Sequence, residues 1–350
     1  MDQEKVEALA FRVIGEMAAS FSMALGHIGD RLGLFRTLAD AGPVTSEQLA
    51  SKTGLNERYV REWLKAMVAA EYIDYDQITG RFLMTAEQEF VLANDDAPLS
   101  VGGLLQFTTA TLLNTPRVID AFRSGGGVPY AEMGDDVNAG LARLFGPGHT
   151  HFLVSEWLAA VPGLAERLAR GIHVADVGCG RGLSTVTMAA AYPRSRFLGI
   201  DNDPGSIDRA RRLAADRHVR NVHWVAAPAH HVPAVPTHDL ICAFDCIHAM
   251  VDPRATLRAI RAALAEDGVC LWSEPNASDN PLENRHPVGK AFACASPLHS
   301  LTVSLAHDGE GLGATIGERG VRDLAAEAGF VGVEKLPIQS ALSQLFALRK

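Results

Sequence analysis

Seven residues, Asp176-Val177-Gly178-Cys179-Gly180-Arg181-Gly182, constrain this 350-residue chain more than any others. They follow a short β-branched run, 173–177, and precede an apolar stretch with helical spacing, 183–191. Glycines at alternate positions allow positive φ and close approach of a ligand to the backbone, so the segment reads as strand, tight turn, helix. The same alternation continues. Strands are predicted over 196–200, 222–225, 239–244 and 269–273, and helices over 204–215, 253–264 and 318–328. Two strand-like runs, 331–336 and 345–348, close the chain. Strands separated by helices need crossover connections, which makes this half an α/β domain with a doubly wound parallel sheet. Ligands bind such sheets beyond the carboxyl ends of the strands, so the residues after each strand are the ones to read.

The first half has a different texture. Val6, Leu9, Val13, Met17 and Phe21 give an amphipathic helix over 3–26, and a second helix is expected over 27–39, stopping at Gly42-Pro43. Between Thr45 and Tyr75 the pattern is helix, turn at Gly54, and a helix capped by Asn56 with Val60, Leu64 and Met67 on one face. Strand-like runs at 72–75 and 81–84 follow, joined by Thr79-Gly80, and the whole makes a winged helix. Residues 1–90 hold nine Lys/Arg against fourteen Asp/Glu, and the candidate recognition helix mixes Arg58, Arg61 and Lys65 with Glu57, Glu62 and Glu71. A DNA-reading helix should be basic on that face, so a dimerisation or lid module fits better than a nucleic-acid reader. Residues 99–123 read as one more helix, broken by Ser124-Gly-Gly-Gly127, and 139–158 as another, interrupted at 146–148. The domain reading is 1–98 winged helix and dimerisation, 99–150 helical linker, and 151–350 the α/β domain.

The turn is followed by Asp201 at the end of the second strand, 19 residues past Gly182. A carboxylate there suits two ribose hydroxyls, and a glycine turn before a helix N-terminus suits the rest of a nucleoside-type cofactor. Asp176 opens the turn. Beside an NAD pyrophosphate it would add like charge, whereas S-adenosylmethionine (SAM) carries an ammonium and a sulfonium and welcomes it. Asp176 can equally hydrogen-bond its own loop, and the two roles are compatible.

The run Asp-Val-Gly-Cys-Gly-Arg-Gly at 176–182, then Gly199-Ile200-Asp201-Asn202-Asp203, resembles the signature of class I SAM-dependent methyltransferases. Phe244-Asp245-Cys246-Ile247-His248, Ser273-Glu274-Pro275 and the acidic winged helix extend the likeness to bacterial small-molecule methyltransferases with an N-terminal winged-helix dimerisation domain. The resemblance implies a Rossmann-like sheet, SAM as cofactor, and a homodimer with interleaved N-terminal helices. It places Asp176, Gly178, Gly180 and Gly182 around the methionine part of SAM, and Asp201 at the ribose. Asn202 and Ala227 fall near the adenine, and Phe244 in the cofactor wall. Ala227 stands where many relatives carry an Asp.

Methyl transfer needs an aligned nucleophile and often a base. His248 follows the fourth strand, and His299 lies in the 277–316 insertion that should roof the site; these are the catalytic candidates. Glu274 ends the fifth strand and can position a hydroxyl. His149 and His151 are expected to pack or cap, and His230 and His231 to lie in a surface loop. Some relatives bind a metal through His-Asp after the fourth strand and a later His. Here the sequence is His248-Ala249, with Asp245 and Asp252 at other spacings, so no metal is expected.

The expected activity is methylation of a small molecule at O, N or C. The competing readings are a SAM-responsive winged-helix regulator and a methyltransferase-like protein that uses SAM without transferring its methyl. A net charge of -9 disfavours a nucleic-acid partner. Five cysteines, an odd number without a CxxC pair, point to a reducing, cytoplasmic setting. No signal peptide is read, and no run reaches the roughly 20 apolar residues of a membrane span.

Overall fold

The computed structural model describes residues 1–233 and 237–350. The chain divides into two compact units. One comprises 1–113 with 135–147, the other 114–134 with 148–350. The stretch read as a linker, 99–150, is therefore shared between them.

In the first unit, α1 (Gln3–Arg31) runs past the expected break near residue 26. The chain turns only at Gly33, whose φ of 69° suits glycine, before α2 (Leu34–Ala41). The winged helix follows. α3 (Ser46–Thr53) starts with a Thr45–Gln48 capping box, and α4 (Glu57–Ala69) is capped by Asn56. The antiparallel hairpin is β1 (Asp74–Asp76) and β2 (Arg81–Leu83). Leu38, Leu49, Leu64 and Met67 are fully buried, and Phe35 meets Trp63 edge-on at 5.0 Å. α5 (Ala86–Leu92) completes the domain. The predicted helix 99–123 is two helices, α6 (Gly102–Leu112) and α7 (Thr115–Ser124). Pro116 lacks an N–H and disfavours helical geometry at the residue before it, which places it at the start of a new helix.

α1 also differs from expectation in what it exposes. Leu9, Phe11, Val13, Ile14, Met17 and Phe21 all face outward. An 18-residue window reaches a mean hydropathy of 1.4, so by length and composition this helix suffices to cross a membrane. Arg12 and Glu16 interrupt the apolar run, so the helix holds no unbroken stretch of about 20 apolar residues.

α8 (Asp135–Pro147) leads without a break into a π-helical segment, Gly148–Trp157. The interruption expected at 146–148 is thus a change of winding. Pro147 cannot donate the regular helical bond, and the wider turn absorbs the loss.

In the second unit, α9 (Leu164–Arg170) precedes β3 (His173–Val177), α10 (Leu183–Ala191), β4 (Arg196–Asp201), α11 (Pro204–Asp216) and β5 (Val222–Ala226). Then come β6 (His238–Phe244), α12 (Pro253–Ala263) and β7 (Leu264–Pro275). Among the described residues seven strands form one sheet, in the order β5-β4-β3-β6-β7-β9-β8. The first five are parallel; β9 (Ser343–Arg349) runs antiparallel between β7 and β8 (Gly332–Lys335). This is the Rossmann-like α/β fold that the alternation implied. β6 is covered on both faces, with Leu240, Ile241, Cys242 and Ala243 all at 0 % exposure, as a continuous apolar run in a central parallel strand requires. β7 extends beyond the predicted 269–273 at both ends. The insertion, unplaced by sequence, forms α13 (Pro287–Leu298) and α14 (Ser300–Leu305), followed by α15 (Gly317–Glu327).

Candidate active site

The order reverses between β3 and β6, and the candidate residues gather at the carboxyl ends of these strands and their neighbours β4 and β7. The turn after β3 takes its shape from three glycines with positive φ: Gly178, Gly180 and Gly182. A Cβ on Gly178 would lie 2.8 Å from Cys246 Sγ, and one on Gly182 would meet Ala210 and Trp224. A Cβ on Gly180 would meet nothing within 4 Å. Two glycines thus let the turn pack against the sheet and α11, while the middle one faces open space.

Asp201 holds this turn. Its Oδ2 accepts from the Gly180 N–H at 2.8 Å and its Oδ1 from the Asp203 N–H at 2.9 Å. Burial pushes its pKa up. Each oxygen keeps a second lone pair for a ligand. Asp176 lies deeper. Its Oδ2 accepts from Ser184 and Thr185 hydroxyls at 2.7 and 2.6 Å, tying the turn to the first residues of α10. Burial raises its pKa to about 6. Asn202 is exposed beside Asp201, and Ala227 bonds through its N–H to the Asp201 carbonyl at 2.9 Å. Phe244 turns its ring to Trp157 and His149, with centroids at 5.8 and 5.5 Å.

His248 sits on a short 3₁₀ turn after β6. Its Nδ1 lies 2.5 Å from Glu274 Oε2 at the end of β7. Trp272 Nε1 donates to the other oxygen of Glu274 at 2.7 Å. Both His248 and Glu274 are buried. Burial alone would lower the pKa of His248, but the charge and hydrogen bond of Glu274, with Asp245 nearby, outweigh it and raise the value above 6.5. Asp245 adopts a left-handed φ of 50°, a strained conformation for a residue with a side chain. Its Oδ2 accepts from Ser273 at 2.9 Å, while its buried Oδ1 has no partner. Burial, then Glu274, push its pKa to about 7.

His299, at the α13–α14 junction, is buried within electrostatic reach of His248. Burial and then that neighbour lower its pKa to about 4, so it is neutral near pH 7. Tyr130 approaches it edge-on at 6.3 Å. His149 packs as sequence suggested, against Phe244 and Trp157, and burial lowers its pKa to about 4. Its Nε2 has no partner. His230 and His231 lie on an exposed 3₁₀ turn. Among the described residues no group of three or more His, Cys, Asp or Glu is arranged to hold a metal.

The structure thus brings His248, Glu274, His299 and the glycine turn to one end of the sheet. The residue that the sequence did not single out is Tyr130; its signal was the glycine run just before it, legible as an irregularity but not as a site.

Residues 18–94 match the family described as Rv2258c-like winged HTH domain, and residues 168–305 the family described as methyltransferase domain. A trans-aconitate 2-methyltransferase of Methylobacterium radiotolerans is 33 % identical over 143 residues, 41 % of this chain and 50 % of the relative. One from Paracidovorax citrulli is 32 % identical over 165 residues, 46 % of this chain and 58 % of the relative. The chain therefore spans little more than half the length of these curated relatives. Solved structures agree over nearly the whole chain. Mitomycin 7-O-methyltransferase superposes with a TM-score of 0.74 at 18 % identity, covering 100 % of both chains. Human N-acetylserotonin methyltransferase, in complex with SAM, gives 0.68 at 19 %, covering 97 % of both. The second unit has the class I methyltransferase fold. The chain joins an Rv2258c-like winged HTH domain to a methyltransferase domain.

Proposed function

We propose that this protein is a SAM-dependent methyltransferase that methylates a small molecule, with a hydroxyl as the accepting group that the site suits best. The observation that carries the reading is the buried His248–Glu274 pair beside a glycine turn latched by Asp201.

The residues present fit SAM. The open space at Gly180 would accept ligand against backbone, and the half-buried Asp201 has unused lone pairs for ribose hydroxyls. Gly178, Gly180, Asp201 and Asn202 would hold the cofactor, with Ala227 beside the adenine. Asp176 acts one layer below, through α10. When bound, SAM supplies an electrophilic methyl group on its sulfonium.

Glu274 accepts from His248 Nδ1–H, which fixes the tautomer and leaves the Nε2 lone pair for the acceptor. With SAM bound, Nε2 would take the proton of the acceptor hydroxyl, and Glu274 would stabilise the imidazolium that forms. Trp272 holds the far oxygen of Glu274, so the carboxylate cannot swing away. His299, neutral near pH 7, offers the acceptor a hydrogen bond without competing for the proton. The experiment is product mass after incubation with SAM and a panel of phenols, hydroxy acids and amines. A gain of one methylene, lost in His248→Ala, supports the reading; unmodified acceptors throughout, with SAM bound, would favour a non-methylating role.

The exposed apolar face of α1 supports a homodimer, in which a second copy covers Leu9, Val13, Met17 and Phe21. A DNA-reading role is disfavoured by α4, where Arg58 pairs with Glu62 at 2.6 Å and Arg61 with Glu57 at 2.5 Å on the same helix. The five cysteines are all free thiols, in keeping with a cytoplasmic setting.

A further inference from the structure

Residues 114–134 lie between two stretches of the first unit in sequence, yet they belong to the second. Their end is a short strap, 125–134, flanked by glycines with positive φ at 125, 126 and 134. Near its C-terminal end Asn114 Nδ2 donates to the Met133 carbonyl at 3.0 Å and Arg117 to the Glu132 carbonyl at 2.9 Å, and near its start the strap is fastened to α14. Val128 N–H donates to the Thr302 carbonyl at 3.2 Å and to its Oγ1 at 2.9 Å, tying the strap to α14. A Cβ on Gly127 would sit 1.8 Å from the Thr302 carbonyl oxygen, so only glycine permits this approach. Beyond the fastening the chain forms a 3₁₀ turn that begins with Tyr130.

Tyr130 reaches in two directions. Its hydroxyl is a hydrogen-bond partner of Ser206, at the start of α11, and lies near Asp201, Asp203 and Arg181. Its ring meets the His299 ring edge-on at 6.3 Å. One side chain therefore spans from the Asp201 end of the crevice to the candidate acceptor roof. Burial, then the two carboxylates, push its hydroxyl well above the ordinary phenol range, so it stays an uncharged donor. A phenol oxygen engaged by one serine retains capacity for another partner.

We propose that Tyr130 is a cofactor-contacting residue, closing the nucleoside end of the crevice over Asp201 with its hydroxyl while its ring braces His299. This rests on the SAM reading above. It adds a contact from outside the sheet domain's own motif, carried by a glycine-hinged strap. Cofactor binding then orders the roof as well as the ribose end, because the same side chain touches both.

The test uses the full chain and S-adenosylhomocysteine (SAH) as probe, with affinity measured by calorimetry and amide exchange followed over 125–134. In the wild type, SAH should slow exchange across the strap. Tyr130→Phe, which keeps the ring, should weaken SAH about 3- to 10-fold, the worth of one hydrogen bond. Tyr130→Ala should weaken it at least 30-fold and abolish the exchange protection. Thermal melting without ligand checks that each variant folds, and the Phe variant carries the test if the Ala variant does not. Wild-type SAH affinity retained within twofold in Tyr130→Phe, with unchanged strap exchange on SAH addition, would overturn the proposal while leaving the cofactor reading intact. Failure of the wild type to bind SAH would remove both.

Discussion

His248 Nδ1 and Glu274 Oε2 face each other across 2.5 Å at the ends of two adjacent strands, β6 and β7. The pairing depends on register. Phe244 lies opposite Ser273, so the 3₁₀ turn after β6 sets its imidazole against the next outward residue of β7. A base whose pKa is raised needs a higher pH to be free. Activity should therefore climb through a pH somewhat above 6.5, the ordinary histidine value, as His248 loses its proton.

Replacing Glu274 by Gln removes the charge that outweighs burial. The pKa of His248 should fall, moving the acid limb of the kcat profile to lower pH. The rate on the plateau should drop about 10- to 100-fold, because the tautomer and the imidazolium lose their support. SAH affinity should stay within twofold of wild type. A Gln variant with an unshifted pH profile would mean that His248 is not the titrating base.

Asp201→Asn keeps the size of the side chain but removes the charge behind two backbone latches and behind the ribose contact proposed above. SAH binding should weaken about 10- to 100-fold, as expected for losing charge-assisted hydrogen bonds. Calorimetry reads this directly, and wild-type affinity in the variant would place the nucleoside elsewhere.

Asp245 gives a stability signature. Its pKa is about 7 when folded against 3.8 ordinarily, so the folded state holds the proton more tightly than the unfolded chain. That contribution is complete below about pH 3.8 and is lost as pH rises through about 7. Asp245→Asn has no such dependence. Its stability relative to wild type should rise by about 1–3 kcal/mol between pH 5 and pH 8.5, read from denaturant unfolding at both. A difference that stays flat with pH would contradict the buried, protonated carboxyl.

The apolar face of α1 predicts self-association. Light scattering should find a dimer, and a Val13→Glu, Met17→Glu double substitution should convert it to monomer without changing the winged-helix core. A wild-type monomer in detergent-free buffer would remove the dimer reading.

Much of the fold was readable because its causes are local. The β6 run is apolar throughout since both faces are covered, and the glycines of 178–182 each mark a backbone position that a side chain would spoil. The candidate site was readable where a residue sits next to a strand end, as Asp201, His248 and Glu274 do. It was not readable where tertiary structure imports the residue. Tyr130 lies 71 positions before Asp201 in sequence, and the fastening of Gly127-Val128 to Thr302 brings them together. α1 was readable as amphipathic, but local pattern alone does not say whether an apolar face packs within the chain or stays exposed, as Leu9, Val13, Met17 and Phe21 are here.

The most direct measurement of the central claim is calorimetric titration of the purified full chain with SAH, with NAD as the control. The expected result is a single site of micromolar affinity for SAH and no heat from NAD, with the SAH signal diminished in Asp201→Asn. No SAH binding, or equal binding of NAD, would contradict the assignment of the 176–182 turn as a SAM site.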